Sequence, residues 1–173
     1  FTYDVCDPSL VCASATVFIT VSDLPEPPDA VDDFDSVDED SSVTVDVLGN
    51  DTDPEGDIDP ASVTVTGGPS NGSTSVNPDG SIDYTPDADF FGSDSFTYEV
   101  CDLAGDCDTA TVDITVTSVN DGPDAVDDAA LVDEDDTVTI DVLGNDTDVE
   151  GAIDPSSVNV TGGPSNGSVS VNP

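Results

Sequence analysis

The sequence contains no lysine, no arginine and no histidine, whereas 40 of its 173 residues are aspartate or glutamate, so the formal net charge is −40. No side chain is therefore available to form a salt bridge with a carboxylate. Nucleic acid binding needs basic contacts to phosphates, and adhesion to an anionic membrane surface without a bridging metal needs the same residues. The sequence excludes both and predicts a cationic partner, because self-repulsion of this size opposes folding unless metal ions, salt or protonation offset it.

Long apolar runs are also missing. None approaches the roughly 18 residues of a membrane-spanning helix, so we expect no membrane insertion within these residues. The first residues, FTYDVCDPSL, do not resemble a signal peptide, and they read as the inside of a strand.

The missing basic residues also argue against catalysis. There is no histidine to act as a general base and no lysine nucleophile. A carboxylate pair of the glycosidase type carries no signal here, because some pair is almost unavoidable among so many acids. We therefore do not expect an enzyme.

High acidity with only 5% aromatic residues is a composition found in disordered chains. Apolar residues nevertheless form 35% of the chain, and the many valines alternate with polar residues in short runs bounded by Gly, Pro, Asn and Asp. This pattern is typical of strands and turns. The sequence therefore predicts an all-β chain.

The chain repeats itself with a period of 95 residues. DVLGNDTDPEGDIDP at residues 46–60 returns as DVLGNDTDVEGAIDP at residues 141–155, and 53 of the 78 comparable positions are identical. Such a repeat sets the domain organisation. It predicts the final strands of one unit at residues 1–22, a linker at 23–27, a complete unit at 28–118, a linker at 119–122 and the first half of another unit at 123–173.

Within the complete unit, the apolar alternation and two turn signals, SNGS and NPDG, predict about seven short strands. Seven strands with frequent turns are typical of a Greek-key immunoglobulin-like β-sandwich. The predicted strands are 31–37, 42–47, 62–66, 81–85, 96–100 and 109–116, with short strands beside the two turns. The predicted core is Val43, Val45, Val65, Ile82, Tyr84, Phe96, Tyr98, Val112 and Ile114.

The cysteines form two pairs, Cys6 with Cys12 and Cys101 with Cys107, with five residues inside each pair. Zinc usually takes closer cysteine pairs, often with histidine, and a redox site needs Cys-x-x-Cys. Each pair flanks a turn between successive predicted strands. We therefore predict two disulfides, each closing the last hairpin of a unit, and an oxidising, extracellular setting.

The repeated loop NDTDPEGD alternates carboxylates and an amide around a glycine, which supplies the oxygen ligands that a hard cation requires. In the predicted topology this loop lies at the upper end of a unit, while VDEDS and PDADFFGSD lie at the lower end. The lower end of one unit then faces the upper end of the next, and crowded carboxylates favour divalent ions. We predict calcium at the downstream junction, with ligands drawn from Glu39, Asp40, Asp87, Asp89, Asp94, Asn120, Asp121, Asp146, Asp148 and Glu150.

A second interpretation is a solvated acidic surface adapted to concentrated salt, without a specific ion. Acids also lie on predicted strand faces away from the loops, such as Asp46, Glu99 and Asp113. Clustering of acids in the repeated loops favours specific calcium, and both interpretations can hold together.

The motifs SVNDGPDAVDD, VDEDSSVTVDVLGNDTDPEGD and FFGSDSFTYEV resemble the bacterial cadherin-like tandem repeats that build large surface adhesins and extracellular stalks. The resemblance covers the whole chain and implies an immunoglobulin-like fold with calcium at the junctions between repeats. Cadherin linkers of the type Asp-x-Asn-Asp-Asn-x-Pro supply ligands, and VNDGP at residues 119–123 is similar, although Gly122 replaces the second asparagine.

The upstream linker, SDLPEPPDAVDD, departs further from that pattern because it has no Asn-Asp pair. Its prolines favour a stiff joint. The candidate calcium ligands at this upstream junction are Asp23, Glu26, Asp51, Asp53 and Glu55.

The sequence thus predicts a structural, calcium-stiffened array that forms an extracellular filament or adhesin stalk at the cell surface. Its partners would be neighbouring repeats of the same chain and identical chains in a filament. Two alternatives are a carbohydrate- or cell-binding adhesion module and a polymer subunit completed by a strand from a neighbour. The repeated loops favour the structural role, because a binding module is expected to diversify its loops.

Overall fold

The computed structural model describes residues 1–22, 24–151 and 153–172. Regular structure in this part of the chain is almost entirely β, with a single short 3-10 turn at Pro155–Ser157. No helix among the described residues is long and apolar enough to cross a membrane. The strands are Thr2–Cys6 (β1), Cys12–Thr16 (β2), Asp33–Asp38 (β3), Val43–Val45 (β4), Ile58–Gly67 (β5), Gly72–Val76 (β6), Ile82–Pro86 (β7), Gly92–Asp102 (β8) and Cys107–Thr117 (β9).

Strands β3 to β9 form a two-layer sandwich. One sheet has the order β3-β9-β8-β5, and the other has the order β4-β7-β6. Strand β3 runs parallel to β9, whereas the remaining pairs are antiparallel. This seven-stranded Greek-key arrangement confirms the predicted immunoglobulin-like β-sandwich.

The core between the sheets follows the alternation that the sequence predicts. In β8 and β9, every second residue points inward and is buried. Seven of the nine predicted core residues are buried, while Val43 and Val65 are only partly buried. The buried apolar residues outside the predicted core set are Val37, Val47, Val63, Val100, Ala110 and Val116.

Two tyrosines fix the ends of this core. Tyr84 and Tyr98 are fully buried. The Tyr84 hydroxyl donates to Asp94 Oδ2 at 3.0 Å, near the start of β8. The Tyr98 hydroxyl lies 2.9 Å from the Val47 carbonyl oxygen, at the other end of the sandwich. We call the end that carries Val47 and residues 50–57 the upper end, and the end that carries Glu39 and residues 87–91 the lower end.

The flanking repeats are less complete. Residues 1–17 form a solvent-exposed antiparallel hairpin, β1 with β2. Between residues 123 and 172 the described chain shows an isolated bridge from Asp124 to Thr147 but no named strand. The physical reason lies in the complete unit, where β3 pairs with β9 and β4 pairs with β7. The partners of the early strands come from the second half of the unit.

Both cysteine pairs form disulfides, Cys6–Cys12 and Cys101–Cys107, as predicted. The cysteines are directly opposite each other at the end of a hairpin, in β1–β2 and in β8–β9. Each disulfide therefore closes the last hairpin of its unit.

Replacing Asp94 tests the lower anchor of the core. Burial by itself raises the pKa of Asp94, but hydrogen bonds from the backbone of Ser70, Asn71 and Ser95 and from the Tyr84 hydroxyl outweigh burial and hold the pKa below its usual value. We expect Asp94→Asn to lower the free energy of unfolding by about 2 kcal/mol at neutral pH, because an amide NH2 then faces hydrogen-bond donors. Urea unfolding followed by circular dichroism, in the presence of a chelator, measures this.

The direction in which stability changes with pH follows from the lowered pKa of Asp94. The stabilisation from Asp94 is present above the pKa of the unfolded chain and is lost as the pH falls through the lower pKa of the folded state. The difference between wild type and Asp94→Asn should therefore shrink in acid. Asp113→Asn, at an exposed position of β9, is the matched control. Equal stability of both variants at neutral pH would contradict the anchoring role.

Candidate metal centre at the repeat junction

Glu39 lies at the lower end of the complete unit, immediately after β3, and is only 3% exposed. Its backbone nitrogen donates to the Thr117 carbonyl oxygen at 2.9 Å. Its side-chain Oε1 accepts a hydrogen bond from the Val119 backbone nitrogen at 2.6 Å. These two bonds hold the Glu39 carboxylate against the linker that leaves β9.

The linker and the next repeat complete the arrangement. The Asp121 backbone nitrogen donates to Glu150 Oε2 at 3.2 Å, which ties the linker to the acidic loop of the third unit. As a result Glu39, Asp121 and Glu150 each offer a carboxylate oxygen, and these three oxygens lie within 4.8 Å of one another. Residues from one unit, the linker and the next unit therefore converge on one point.

Each of the three carboxylates lacks a hydrogen bond at one of its oxygens. Glu39 Oε2, Asp121 Oδ2 and Glu150 Oε1 are buried and have no hydrogen-bond partner among the described residues. A buried charged oxygen without a partner is strongly unfavourable. Because the sequence has no basic side chain, the compensating positive charge has to come from outside the protein side chains.

The spacing of these oxygens fits a calcium ion. Calcium binds oxygen ligands at 2.3–2.6 Å, so two ligands of one ion are at most about 5 Å apart. One carboxylate oxygen each of Glu39, Asp121 and Glu150 lie within 4.8 Å of one another, which meets this condition. The donor set consists of carboxylates, which hard cations prefer.

A second group adjoins the first. Oxygens of Asp40, Asp89 and Asp121 also lie within 4.8 Å of one another, so Asp121 belongs to both groups. Asp40 and Asp89 have positive φ angles of 59°, and the Asp89 nitrogen donates to Asp40 Oδ1 at 3.3 Å. Burial raises the pKa of Asp121, and the nearby charges of Glu150, Asp89, Glu39 and Asp40 raise it further.

The upper loop of the complete unit forms another acidic group, Asp53, Glu55 and Asp57. Asp53 Oδ1 accepts hydrogen bonds from the backbone nitrogens of Glu55 at 2.9 Å and Gly56 at 2.7 Å. Gly56 has a φ of 74°, which favours glycine at this turn. Asp53 Oδ2 is buried without a partner, and the Glu26 nitrogen donates to Glu55 Oε2 at 3.2 Å.

This upstream contact matches the downstream one position for position, because Glu26 aligns with Asp121 and Glu55 with Glu150. Asp57 was not among the predicted ligands, and its equivalent in the third unit is Ala152. The sequence feature that could have predicted Asp57 as a ligand is its position directly after Gly56, in the same turn as Asp53.

Several predicted ligands lie elsewhere. Asp51 contacts the Tyr98 hydroxyl and the Val31 nitrogen, and both Asp94 oxygens accept protein hydrogen bonds; neither belongs to the acidic groups at the junctions. Asp146 accepts from the Val126 nitrogen. The predicted ligands Asp87, Asn120 and Asp148 are in the junction loops but outside the clustered groups, and Asp23 lies outside the described residues.

A further group, Glu99 with Cys101 and Cys107, is not a metal site. Both cysteines are joined in a disulfide, so neither has a thiolate to offer.

The bacterial Ig domain model matches residues 25–115 and 120–173, which together are most of the chain. The chain belongs to the bacterial Ig domain family. The two matched segments are successive bacterial Ig domains, in agreement with the sequence repeat. Domains of this family are typically structural modules without catalytic activity, and their tandem repeats are typical of extracellular and surface proteins.

Among solved structures, an endo-fucoidan hydrolase from glycoside hydrolase family 107 is similar over 69% of this chain, with 22% identity and a TM-score of 0.39. The chain spans only 18% of that protein's length. No curated protein matches the sequence.

The absence of a partner for the buried Glu39 charge can be tested without any metal. In a chelator at low salt, we expect Glu39→Gln to raise the free energy of unfolding by about 1 kcal/mol, because the amide removes an uncompensated buried charge. Thermal unfolding followed by circular dichroism measures the change. The control is Asp113→Asn, which removes one charge at an exposed position. A loss of stability in Glu39→Gln under these conditions would show that the carboxylate is compensated within the protein.

Proposed function

We propose that calcium ions at the junctions stiffen a tandem array of bacterial Ig domains, which acts as an extracellular stalk or filament. The observation that carries this proposal is the convergence of the Glu39, Asp121 and Glu150 carboxylates, each of which has one buried oxygen without a hydrogen-bond partner. These residues belong to one domain, the linker and the next domain, so one ion would join all three segments.

Calcium suits the donor set better than other common metals. Zinc prefers nitrogen and sulfur ligands, but the chain has no histidine and its cysteines are oxidised. Magnesium demands near-ideal octahedral geometry and gives up its water reluctantly. Calcium accepts six to eight oxygens in flexible geometry, which fits carboxylates that come from separate segments.

The stiffness of the joint would follow from the negative charge of its carboxylates. Without a cation, the clustered carboxylates repel one another and push the two domains and the linker apart. With a doubly charged ion between them, bending the joint breaks metal–oxygen contacts. The shared Asp121 connects the two adjoining groups, so the same linker residue would respond to ions in both.

The setting supports this role. Disulfides persist in oxidising environments outside the cytoplasm, where millimolar calcium sites are common among extracellular modules. The upstream contact between Glu26 and Glu55 repeats the geometry of Asp121 and Glu150, as expected if every joint in the array uses the same device. Exposed acids such as Asp46 and Asp113 add a solvated negative surface.

Small-angle X-ray scattering of the full chain tests the stiffening. We expect calcium to narrow the distribution of interatomic distances and a chelator to broaden it, because only the calcium-bound joint is fixed. In Glu39→Gln, calcium should have a much smaller effect, and the calcium affinity measured by calorimetry should fall by at least about tenfold.

Asp113→Asn serves as the matched control, and its scattering should respond to calcium as wild type does. Magnesium at the same concentration separates specific binding from general screening. If calcium, magnesium and sodium at equal ionic strength change the scattering alike, the joint is screened and not bridged, and the proposal is wrong.

A further inference from the structure

Two other carboxylates lie inside the complete domain, away from the lower-end junction; Asp33 is buried and Asp51 is partly buried. Asp33 is the first residue of β3, where it pairs with Val112 of β9. Alternation along β3 turns Asp33 and Val37 inward while Phe34 faces solvent. Asp33 is only 9% exposed, and its Oδ2 is buried with no hydrogen-bond partner.

Asp51 approaches Asp33 from the upper loop, and Tyr98 lies between them. The Tyr98 hydroxyl is 3.1 Å from Asp51 Oδ1, 3.0 Å from Asp51 Oδ2 and 2.9 Å from the Val47 carbonyl oxygen. It also contacts the Asp33 carboxylate. A tyrosine hydroxyl has a single proton and can donate it to only one of these acceptors. The Val31 nitrogen also donates to Asp51 Oδ1 at 2.8 Å, but Asp33 Oδ2 is left without a donor.

The surrounding charges do not relieve this shortage. The pKa of Asp33 is raised to about 6, with burial as the largest cause and the Asp51 charge as the next, while hydrogen bonds from Tyr98 and Asn50 act in the opposite direction. Burial also raises the pKa of Asp51, against which hydrogen bonds from Val31 and Tyr98 act. The other charged groups that act on this pair are all acids, namely Asp29, Asp46 and Asp108.

We propose that Asp33 and Asp51 bind a calcium ion within a single domain, together with the Val47 carbonyl oxygen and the Tyr98 hydroxyl oxygen. Oxygens that bind one calcium ion at 2.3–2.6 Å lie about 3 Å from their nearest neighbours, and the separations around Tyr98 match this. The ion neutralises two carboxylates that no basic side chain can reach. Every ligand comes from one domain, so the site is independent of the joint formed by Glu39, Asp121 and Glu150.

Such an ion would have a structural role distinct from stiffening. It joins the start of β3 and the loop after β4 to Tyr98 in β8, and thus links both sheets at the upper end of the sandwich. At the lower end, the backbone nitrogens of Ser70 and Asn71 donate hydrogen bonds that stabilise the Asp94 carboxylate. At the upper end, the ion would stabilise the carboxylates of Asp33 and Asp51 instead.

Terbium luminescence on the full chain tests the site, because terbium occupies oxygen-rich calcium sites and is excited through a neighbouring tyrosine. The chain has three tyrosines and no tryptophan, and Tyr98 adjoins the proposed ion. We expect a tyrosine-sensitised terbium signal that calcium displaces. Tyr98→Phe and Asp33→Asn should each lose most of the displaceable signal, and the calcium affinity of this site in Asp33→Asn should fall by at least about tenfold.

The third repeat supplies the matched control. Asp128 aligns with Asp33, but the position equivalent to Tyr98 lies beyond residue 173, so Asp128→Asn should leave the terbium signal unchanged. Glu39→Gln should retain the Tyr98-dependent signal, which separates this site from the junction and keeps the two proposals independently testable.

Thermal unfolding distinguishes an ion from a shared proton. If calcium occupies the site, calcium raises the melting temperature of wild type more than that of Asp33→Asn. If Asp33→Asn changes the melting temperature equally with and without calcium, and its terbium signal equals that of Asp128→Asn, a proton holds the two carboxylates together and the proposal is overturned.

Discussion

The fold depends on a single electrostatic constraint, which is that no carboxylate in the chain has a basic side chain to pair with. Carboxylates in contact with solvent satisfy this constraint through water and dissolved ions. Buried carboxylates cannot, so each must accept hydrogen bonds, bind a cation or take up a proton. The structure shows the first of these at Asp94, and we propose the second for the junction. Asp94 receives backbone and tyrosine donors, whereas Glu39, Asp121 and Glu150 bring unpartnered oxygens together at the joint.

The difference between exposed and buried carboxylates also separates the two interpretations of the highly acidic composition. Asp46 and Asp113 lie exposed on strand faces and in loops, where they form the solvated surface expected of a highly acidic protein. The junction acids differ because neighbouring segments cover them. An acidic surface and the proposed ion sites are therefore compatible in the same molecule, and burial separates the aspartates of one from those of the other.

The acidic loop shows how much local sequence specifies. In the complete domain the Val31 nitrogen donates to Asp51 Oδ1 at 2.8 Å, and in the third repeat the Val126 nitrogen donates to Asp146 Oδ1 at the same distance. The bridge from Asp29 to Thr52 likewise recurs from Asp124 to Thr147. The third repeat forms this loop although its described residues form no sheet, so the turn residues themselves are sufficient. The prediction of a loop that faces the arriving linker succeeded for this reason.

Local sequence was sufficient to predict the repeat, the sandwich and the disulfides, because these follow from periodicity, from cysteine spacing and from turn chemistry. Tertiary structure decided which acids meet. Asp51 and Asp94 are as close in sequence to the acidic loops as Asp53 and Asp89, yet the Tyr98 and Tyr84 hydroxyls contact them inside the domain. The direction of a side chain at a strand end, and the distant tyrosine that it meets, depend on how two sheets pack across the core. Residues that are far apart in sequence set that packing, and a pattern of neighbouring residues does not encode it.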